Sequence, residues 1–267
     1  MTPTPHLIVS DLDGTLLDAG HDLTSGTVAT LRALAAQGHH IAFASGRHFR
    51  DMLAFRERLG VPVHLISTNG AYLHAPDDRL LAARHLDPAI ARQLIALERH
   101  ATVRLNLYRD DDWLIDAEAP ELLALHAHTG FGYRVASPHE LDGVGVGKVL
   151  YIGEPSRVAE LEAQIRERHG GALHVTYSMT NSLEVMAGGT NKGTALTSLL
   201  ERLGIGRERC LAFGDNLNDT EMLHLAGEAH VMANAHPELT DRVPGARRIG
   251  HHAEQAVAAR LRERFGV

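Results

Sequence analysis

Two aspartates, two positions apart, follow a short apolar run, in the order Asp11-Leu12-Asp13-Gly14-Thr15-Leu16. One such carboxylate can attack phosphorus while the other delivers a proton to the departing oxygen. Gly14 permits a sharp chain exit that a residue with a Cβ resists. An acidic pair at a strand end is also an ordinary turn, so the chemistry needs partners. Ser45-Gly46-Arg47 follows a second apolar run. A serine hydroxyl and free amides at a helix start can bind phosphate oxygens, although serine is equally a common N-cap. Thr68 and Asn69 end a third apolar run. Lys192, within Thr190-Asn191-Lys192-Gly193, can neutralise a phosphate and a charged nucleophile during approach, although most single lysines are solvated surface groups. Gly214-Asp215-Asn216-Leu217-Asn218-Asp219 closes a fourth run. Its hard carboxylate oxygens suit Mg²⁺, which keeps several waters and takes few protein ligands.

The elements that must position these residues read as alternating strands and helices. Leu7–Ser10, Ile41–Ala44 and Val63–Ile66 are expected strands. Ser25–Gln37 carries Val28, Leu31, Leu34 and Ala35 at helical spacing, with Thr24 as a cap and Gly38 as a stop. His48–Leu59 is a helix ended by Gly60 and Pro62. Near the C-terminus the rhythm returns in the helix Lys192–Leu203, the strand Cys210–Gly214, the helix Leu217–Ala226, the strand Ala229–Met232, the strand Arg247–Ile249 and the helix Ala253–Phe265. Strands alternating with helices imply parallel pairing, and unbroken apolar strands imply a sheet covered on both faces. Ligands of open α/β sheets bind beyond the carboxyl ends of the strands, where Asp11, Asp13, Ser45, Asn69 and Asp215 all fall.

Between the halves the pattern changes. Helices are expected at Ala89–His100, Pro120–Thr129 and Ser156–His169. Strands are expected at Val103–Tyr108, Trp113–Asp116, Gly147–Ile152, Leu173–Tyr177 and Ser182–Met186, the first two as a hairpin. The chain is therefore expected to be α/β, a Rossmann-like parallel-sheet core with an inserted α+β domain. The core occupies 1–82 and 188–267, and the insert 83–187. Arg104, Asn106, Tyr108, Lys148 and Tyr177 lie on strands of the insert and are candidates to face a cleft.

Taken together and in this order, the motifs resemble the haloacid dehalogenase superfamily of phosphohydrolases, and most closely its Cof-type branch, subfamily IIB with a type C2B cap. The resemblance is carried by Asp11-Leu12-Asp13-Gly14-Thr15-Leu16-Leu17, Ala44-Ser45-Gly46-Arg47, Ser67-Thr68-Asn69-Gly70-Ala71, Asn191-Lys192-Gly193 and Gly214-Asp215-Asn216-Leu217-Asn218-Asp219, and it spans essentially the whole chain. It implies a Mg²⁺-dependent phosphomonoester hydrolase acting on small phosphorylated metabolites, sugar phosphates or cofactor phosphates, through an aspartyl-phosphate. It implies Asp11 as nucleophile, Asp13 as general acid and then base, and Lys192 as the charge partner. Ser45, Gly46, Arg47, Asn69, Asn218 and Lys192 would bind phosphate or substrate. The Asp11 carboxylate, the Asp13 main-chain carbonyl and Asp215 would hold the metal, with Asp219 at the metal or behind Lys192. The insert would be a mobile cap, since the stretch between Asp13 and Ser45 is too short to hold one. Gly188-Gly189 and the region near Ala82 are hinge candidates.

Two other functions fit the same residues. A phosphosugar mutase would use Asp11 and Asp13 but protect its aspartyl-phosphate from water. A non-catalytic, receiver-like phosphate-binding protein would also carry acidic strand ends, although it would not be expected to retain Asp11, Asp13 and Lys192 together.

The bulk composition narrows the class. A formal charge of −7 and 4% aromatic residues disfavour a nucleic-acid surface. The 19 histidines are scattered, and pairs such as His39–His40 and His251–His252 cannot share a face. His126 and His128 are wrongly spaced for joint ligation. The single cysteine, Cys210, allows no intrachain disulfide and suits a reducing compartment. Met1–His6 lacks the basic and apolar regions of a signal peptide, and no window is apolar enough for a membrane span. A cytoplasmic enzyme, monomeric or a small homo-oligomer, is expected.

Overall fold

A computed structural model describes residues 4–126 and 129–267. His128 and part of the expected helix Pro120–Thr129 therefore lie outside the described residues, as do the first three residues of Met1–His6. The chain divides into two compact units. The first comprises Met1–Ser45, Met52–Ala82 and Asn191–Val267, and the second comprises Gly46–Asp51 and Ala83–Thr190.

In chain order the strands are β1 (Leu7–Ser10), β2 (His40–Ala44), β3 (Val63–Ser67), β4 (Tyr72–His74), β5 (Leu80–Ala83), β6 (Arg104–Arg109), β7 (Asp112–Ile115), β8 (Arg134–Val135), β9 (Val146–Ile152), β10 (Leu173–Met179), β11 (Ser182–Ala187), β12 (Cys210–Gly214), β13 (Glu228–Val231) and β14 (Arg247–Arg248). The α-helices are α1 (Ser25–Ala36), α2 (Phe49–Leu59), α3 (Pro88–Ile95), α4 (Pro120–Leu125), α5 (Pro155–His169), α6 (Lys192–Leu203), α7 (Thr220–Leu225), α8 (Pro237–Arg242) and α9 (Ala256–Phe265).

The sheet of the first unit has the order β14-β13-β12-β1-β2-β3-β4-β5. From β14 through β3 every pairing is parallel. β4 returns antiparallel to β3 and β5 forms the edge beyond it, two strands not expected from the sequence. Leu7, Val9, Ala42, Ala44, Cys210 and Ala212 pack with Leu196, Leu199 and Leu200 of α6 and Met222 and Leu223 of α7. Their neighbours Ile8, Ile41, Phe43, Leu211 and Phe213 are buried as well, so both faces of the central strands are covered, as parallel sheets require.

Local chemistry sets where the helices begin and end. The Thr24 side chain accepts from the Thr27 amide at the start of α1. Asn191 and Thr194 form a reciprocal capping box at the start of α6, and Gly204 ends it with φ of 63°. Such caps satisfy amides and carbonyls that the helix itself leaves unpaired.

The second unit is a six-stranded sheet in the order β10-β11-β9-β6-β7-β8, with only β7–β8 parallel among its recorded pairings. β6 and β7 form a tight hairpin in which Arg109 faces Asp112. The helix expected at Ala89–His100 ends earlier, at Ile95.

Gly70 and Gly38 both have positive φ, 95° and 88°, and they separate two constraints. A Cβ on Gly70 would stand 2.2 Å from the Asn191 carbonyl oxygen, whereas one on Gly38 meets nothing within 4 Å. Gly38→Ala should therefore cost only backbone strain, roughly 1–2 kcal/mol. Gly70→Ala adds a backbone clash and should cost about 3 kcal/mol or more. Urea unfolding of both variants checks this, and equal losses would refute the close approach of Gly70 to Asn191.

Candidate active site

The strand order reverses its direction of growth between β1 and β12: the chain moves outward to β2 and β3 on one side, and to β13 and β14 on the other. That is the switch point at which open α/β sheets bind ligands. Asp11 follows β1 and donates its amide to the Phe213 carbonyl at 3.0 Å, and Asp215 follows β12. The two carboxylates thus leave adjacent strands, Asp11 one residue and Asp215 two residues beyond the Ser10–Phe213 pair.

After Asp11 the chain makes an irregular turn, with Gly14 at φ of 77°. A Cβ on Gly14 would lie 2.4 Å from Asp215 Oδ2, so glycine is required by both conformation and space. Thr15 Oγ1 donates to Asp215 Oδ1 at 2.7 Å. The Gly14 carbonyl accepts from Asn234 Nδ2 at 2.8 Å.

Lys192 stands first in α6 and is fully buried. Its ammonium donates to Asp11 Oδ1 at 2.5 Å and to Asp219 Oδ1 at 2.6 Å. The second Asp219 oxygen accepts from the amides of Asp215 and Asn216, at 3.0 and 3.1 Å. Burial opposes the charge on Lys192, but the carboxylates of Asp11 and Asp219 outweigh it and hold its pKa above the ordinary lysine value. For Asp11, burial pushes the pKa well upward; Lys192 opposes this, while Asp219, Asp215 and Asp13 add to it. Asp215 is raised to about 6, by burial first and then by the Asp219 charge.

One oxygen each from Asp11, Asp215 and Asp219 lies within 4.8 Å of the other two. Three carboxylates gathered around a single ammonium leave an excess of negative charge, and all their donors are hard oxygens. A small divalent cation fits that set.

The remaining candidate residues fall as follows. Asp13 is half-buried, with its carboxylate 3.6 Å from His21 Nδ1. Ser45 is buried; its amide donates to the Ile66 carbonyl and its own carbonyl accepts from the Asn69 amide. Asn218 Nδ2 donates to Asn69 Oδ1 at 3.0 Å. Thr68, Asn69 and Gly70 are all left-handed, with φ of 51°, 53° and 95°. This is uncommon for a β-branched residue such as Thr68, and strain of this kind clusters at functional sites. Gly46 and Arg47 group with the second unit, where Arg47 pairs with Asp51 at 2.8 Å.

Sequence reasoning gave no role to Thr15, Asn234 or His252. His252 donates its amide to Asn234 Oδ1 at 3.1 Å, so the Gly14 turn is braced from a distant loop. Only Thr15 had a signal, its place inside the first acidic motif.

A family profile described as haloacid dehalogenase-like hydrolase matches residues 8–261. A protein of Cronobacter sakazakii named HMP-PP phosphatase is 37% identical over 248 residues, covering 93% of this chain and 91% of its own length. An X-ray structure from Thermotoga maritima aligns with a TM-score of 0.85 at 26% identity, covering 99% of this chain and 98% of the other. A solved sugar phosphatase of haloacid dehalogenase subclass IIB aligns with a TM-score of 0.82 over 98% of this chain and 99% of its own, and at 18% identity it attests the fold. No described helix is long and apolar enough to cross a membrane.

The buried ion network makes a measurable demand. In chelating buffer, Lys192→Met leaves two buried carboxylates uncompensated and should cost about 3–5 kcal/mol. Adding Asp219→Asn removes one of those charges and should recover part of the loss. A double-mutant cycle from denaturant unfolding reads the coupling, and strictly additive losses would show that the two residues do not act as a pair.

Proposed function

The chain belongs to the haloacid dehalogenase-like hydrolases and is a phosphatase of small phosphorylated metabolites, and on that premise we propose that it works through an aspartyl-phosphate on Asp11. The observation that carries this reading is the buried Lys192 ammonium in contact with both Asp11 and Asp219, beside Asp215. Lys192 orients the Asp11 carboxylate and offsets charge as a phosphate approaches. Asp219 has both oxygens engaged, one on Lys192 and one on two amides, which supports a positioning role. Asp13, more exposed than Asp11, protonates the leaving oxygen and then takes the proton of the water that frees Asp11. Ser45, Asn69 and Asn218 bind the transferring phosphoryl group.

Mg²⁺ is the proposed cation, held by Asp11, the Asp13 carbonyl and Asp215, with Asp219 behind them. When bound, it supplies the charge neutralisation that lets an anionic carboxylate meet an anionic phosphate. The second unit is read as the cap that selects leaving groups. The name of the Cronobacter relative makes HMP-PP the first physiological candidate, ahead of other cofactor phosphates and of sugar phosphates. A cytoplasmic setting agrees with the single buried cysteine.

Phosphate release from p-nitrophenyl phosphate, HMP-PP and an alkyl phosphate, with Mg²⁺ and with chelator, tests the proposal. Asp11→Asn should lower kcat at least ~10³-fold on every substrate. Asp13→Asn should cost ~10²–10⁴-fold on the alkyl phosphate and less on the aryl ester, whose phenolate departs without a proton. Turnover that survives Asp11→Asn would mean that another residue is the nucleophile.

A further inference from the structure

The turn after β1 closes on itself, with the Leu17 amide donating to the Leu12 carbonyl at 2.9 Å. Two of its carbonyls are taken by residues from far along the chain. Asn234 Nδ2 donates to the Gly14 carbonyl at 2.8 Å, and His252 Nδ1 donates to the Leu17 carbonyl at 2.9 Å. A carbonyl only accepts, so the His252 ring carries a proton on Nδ1. The His252 amide donates in turn to Asn234 Oδ1 at 3.1 Å. Turn, Asn234 and His252 therefore form a closed ring of contacts that uses both ends of the Asn234 amide.

The sheet order shows what this ring spans. β12 lies between β13 and β1, so the loop after β13 crosses the end of β12 to reach the β1 turn. Asp215 stands at that end. The crossing loop holds it there: the His236 amide donates to the Asp215 carbonyl at 2.8 Å, and the Met232 amide to the Gly214 carbonyl at 3.1 Å. The Ala233 amide donates to the Gly250 carbonyl at 3.1 Å, which ties the loop to the segment carrying His252. From the other side, Thr15 Oγ1 holds Asp215 Oδ1.

A hydrogen bond to a backbone carbonyl fixes the peptide plane that bears it. Gly14, at φ of 77° and ψ of 0°, joins the plane held by Asn234 to the plane bearing the Asp13 carbonyl. Glycine is the residue least able to hold such a conformation unaided, so the brace has to come from outside the turn.

We propose that Asn234 and His252 are positioning residues that hold the Asp13 carbonyl and the Asp215 carboxylate at a fixed separation, and so make the cation site selective for Mg²⁺ over Ca²⁺. This rests on the cation reading above. Mg²⁺ demands near-octahedral oxygens at about 2.0–2.1 Å, whereas Ca²⁺ accepts a flexible shell at about 2.3–2.6 Å. A separation held by one loop across both strand ends favours the smaller ion. A slack turn moves outward and admits the larger one.

The full-length protein, freed of metal with chelator, is loaded with Mn²⁺. Electron paramagnetic resonance then reads the free Mn²⁺ as Mg²⁺ or Ca²⁺ displaces it. Asn234→Ala removes both side-chain contacts, and His252→Ala removes the one to Leu17 while keeping the amide. Each should weaken Mg²⁺ binding roughly 10-fold or more and Ca²⁺ binding by less than about threefold. His252→Asn keeps a nitrogen donor near the Nδ1 position and should restore most of the wild-type ratio of affinities. Circular dichroism and urea unfolding without metal separate these effects from loss of folding. An equal loss of Mg²⁺ and Ca²⁺ in the alanine variants is what a merely structural role gives, and it overturns the proposal. Asp215→Asn separates this inference from the reading beneath it. If that variant loses both ions while the alanine variants keep the wild-type ratio, the cation site stands and the positioning role falls. If it binds both ions like the wild type, or the wild type binds neither, both fall.

Discussion

A lysine ammonium with no exposure to water, held between two carboxylates, is the constraint around which the first unit is organised. Removing Lys192 from solvent is unfavourable unless its charge is matched. Asp11 and Asp219 match it from 2.5 and 2.6 Å, and each comes from a different part of the chain. Asp11 requires β1 to end beside β12. Asp219 requires the chain after β12 to turn at once, so that its second oxygen can collect the Asp215 and Asn216 amides. Lys192 requires α6 to start immediately after Asn191, whose capping box fixes that point. The approach of Gly70 to Asn191 then fixes the segment after β3 against the same helix start.

The same arrangement explains why the acids do not behave as ordinary surface carboxylates. Asp11 and Asp215 are both shifted upward by burial before any neighbour is considered. One ammonium cannot balance three clustered carboxylates. Like charge and burial together disfavour ionising all three at once, and hard carboxylate oxygens so gathered suit a small divalent cation.

Much of this fold was legible because its elements obey local rules. Lys192–Leu203 and Cys210–Gly214 begin and end in the structure where their apolar spacing and caps place them. The family followed from the ordered motifs, and the profile match from residue 8 to 261 agrees with it. Asp11, Lys192, Asp215 and Asp219 were named from sequence, and the structure gathers them. Other features had no local signal. β4 and β5 are short and follow a left-handed turn at Thr68-Asn69-Gly70, a conformation that propensity disfavours for threonine. Asn234 lies between two alanines in a loop, and only the three-dimensional fold carries it to the Gly14 carbonyl.

The insert shows a different limit. Period-two alternation sorts residues into two faces but does not say which face the helices cover. Tyr108 and Tyr177 were equivalent candidates on sequence. In the structure Tyr177 packs beside the helix-covered cluster and donates to Glu162 of α5, whereas Tyr108 lies on the other face under the Lys148 ammonium. The distinction arises because α3 and α5 pack on the side that carries Leu105, Leu107, Val149 and Tyr151. On the remaining face Lys148 pairs with Glu184 and Asn106 accepts from Trp113, a demanding use of polar groups where apolar ones would pack more simply. The polar exceptions to this otherwise regular pattern become visible only once the covered face is known.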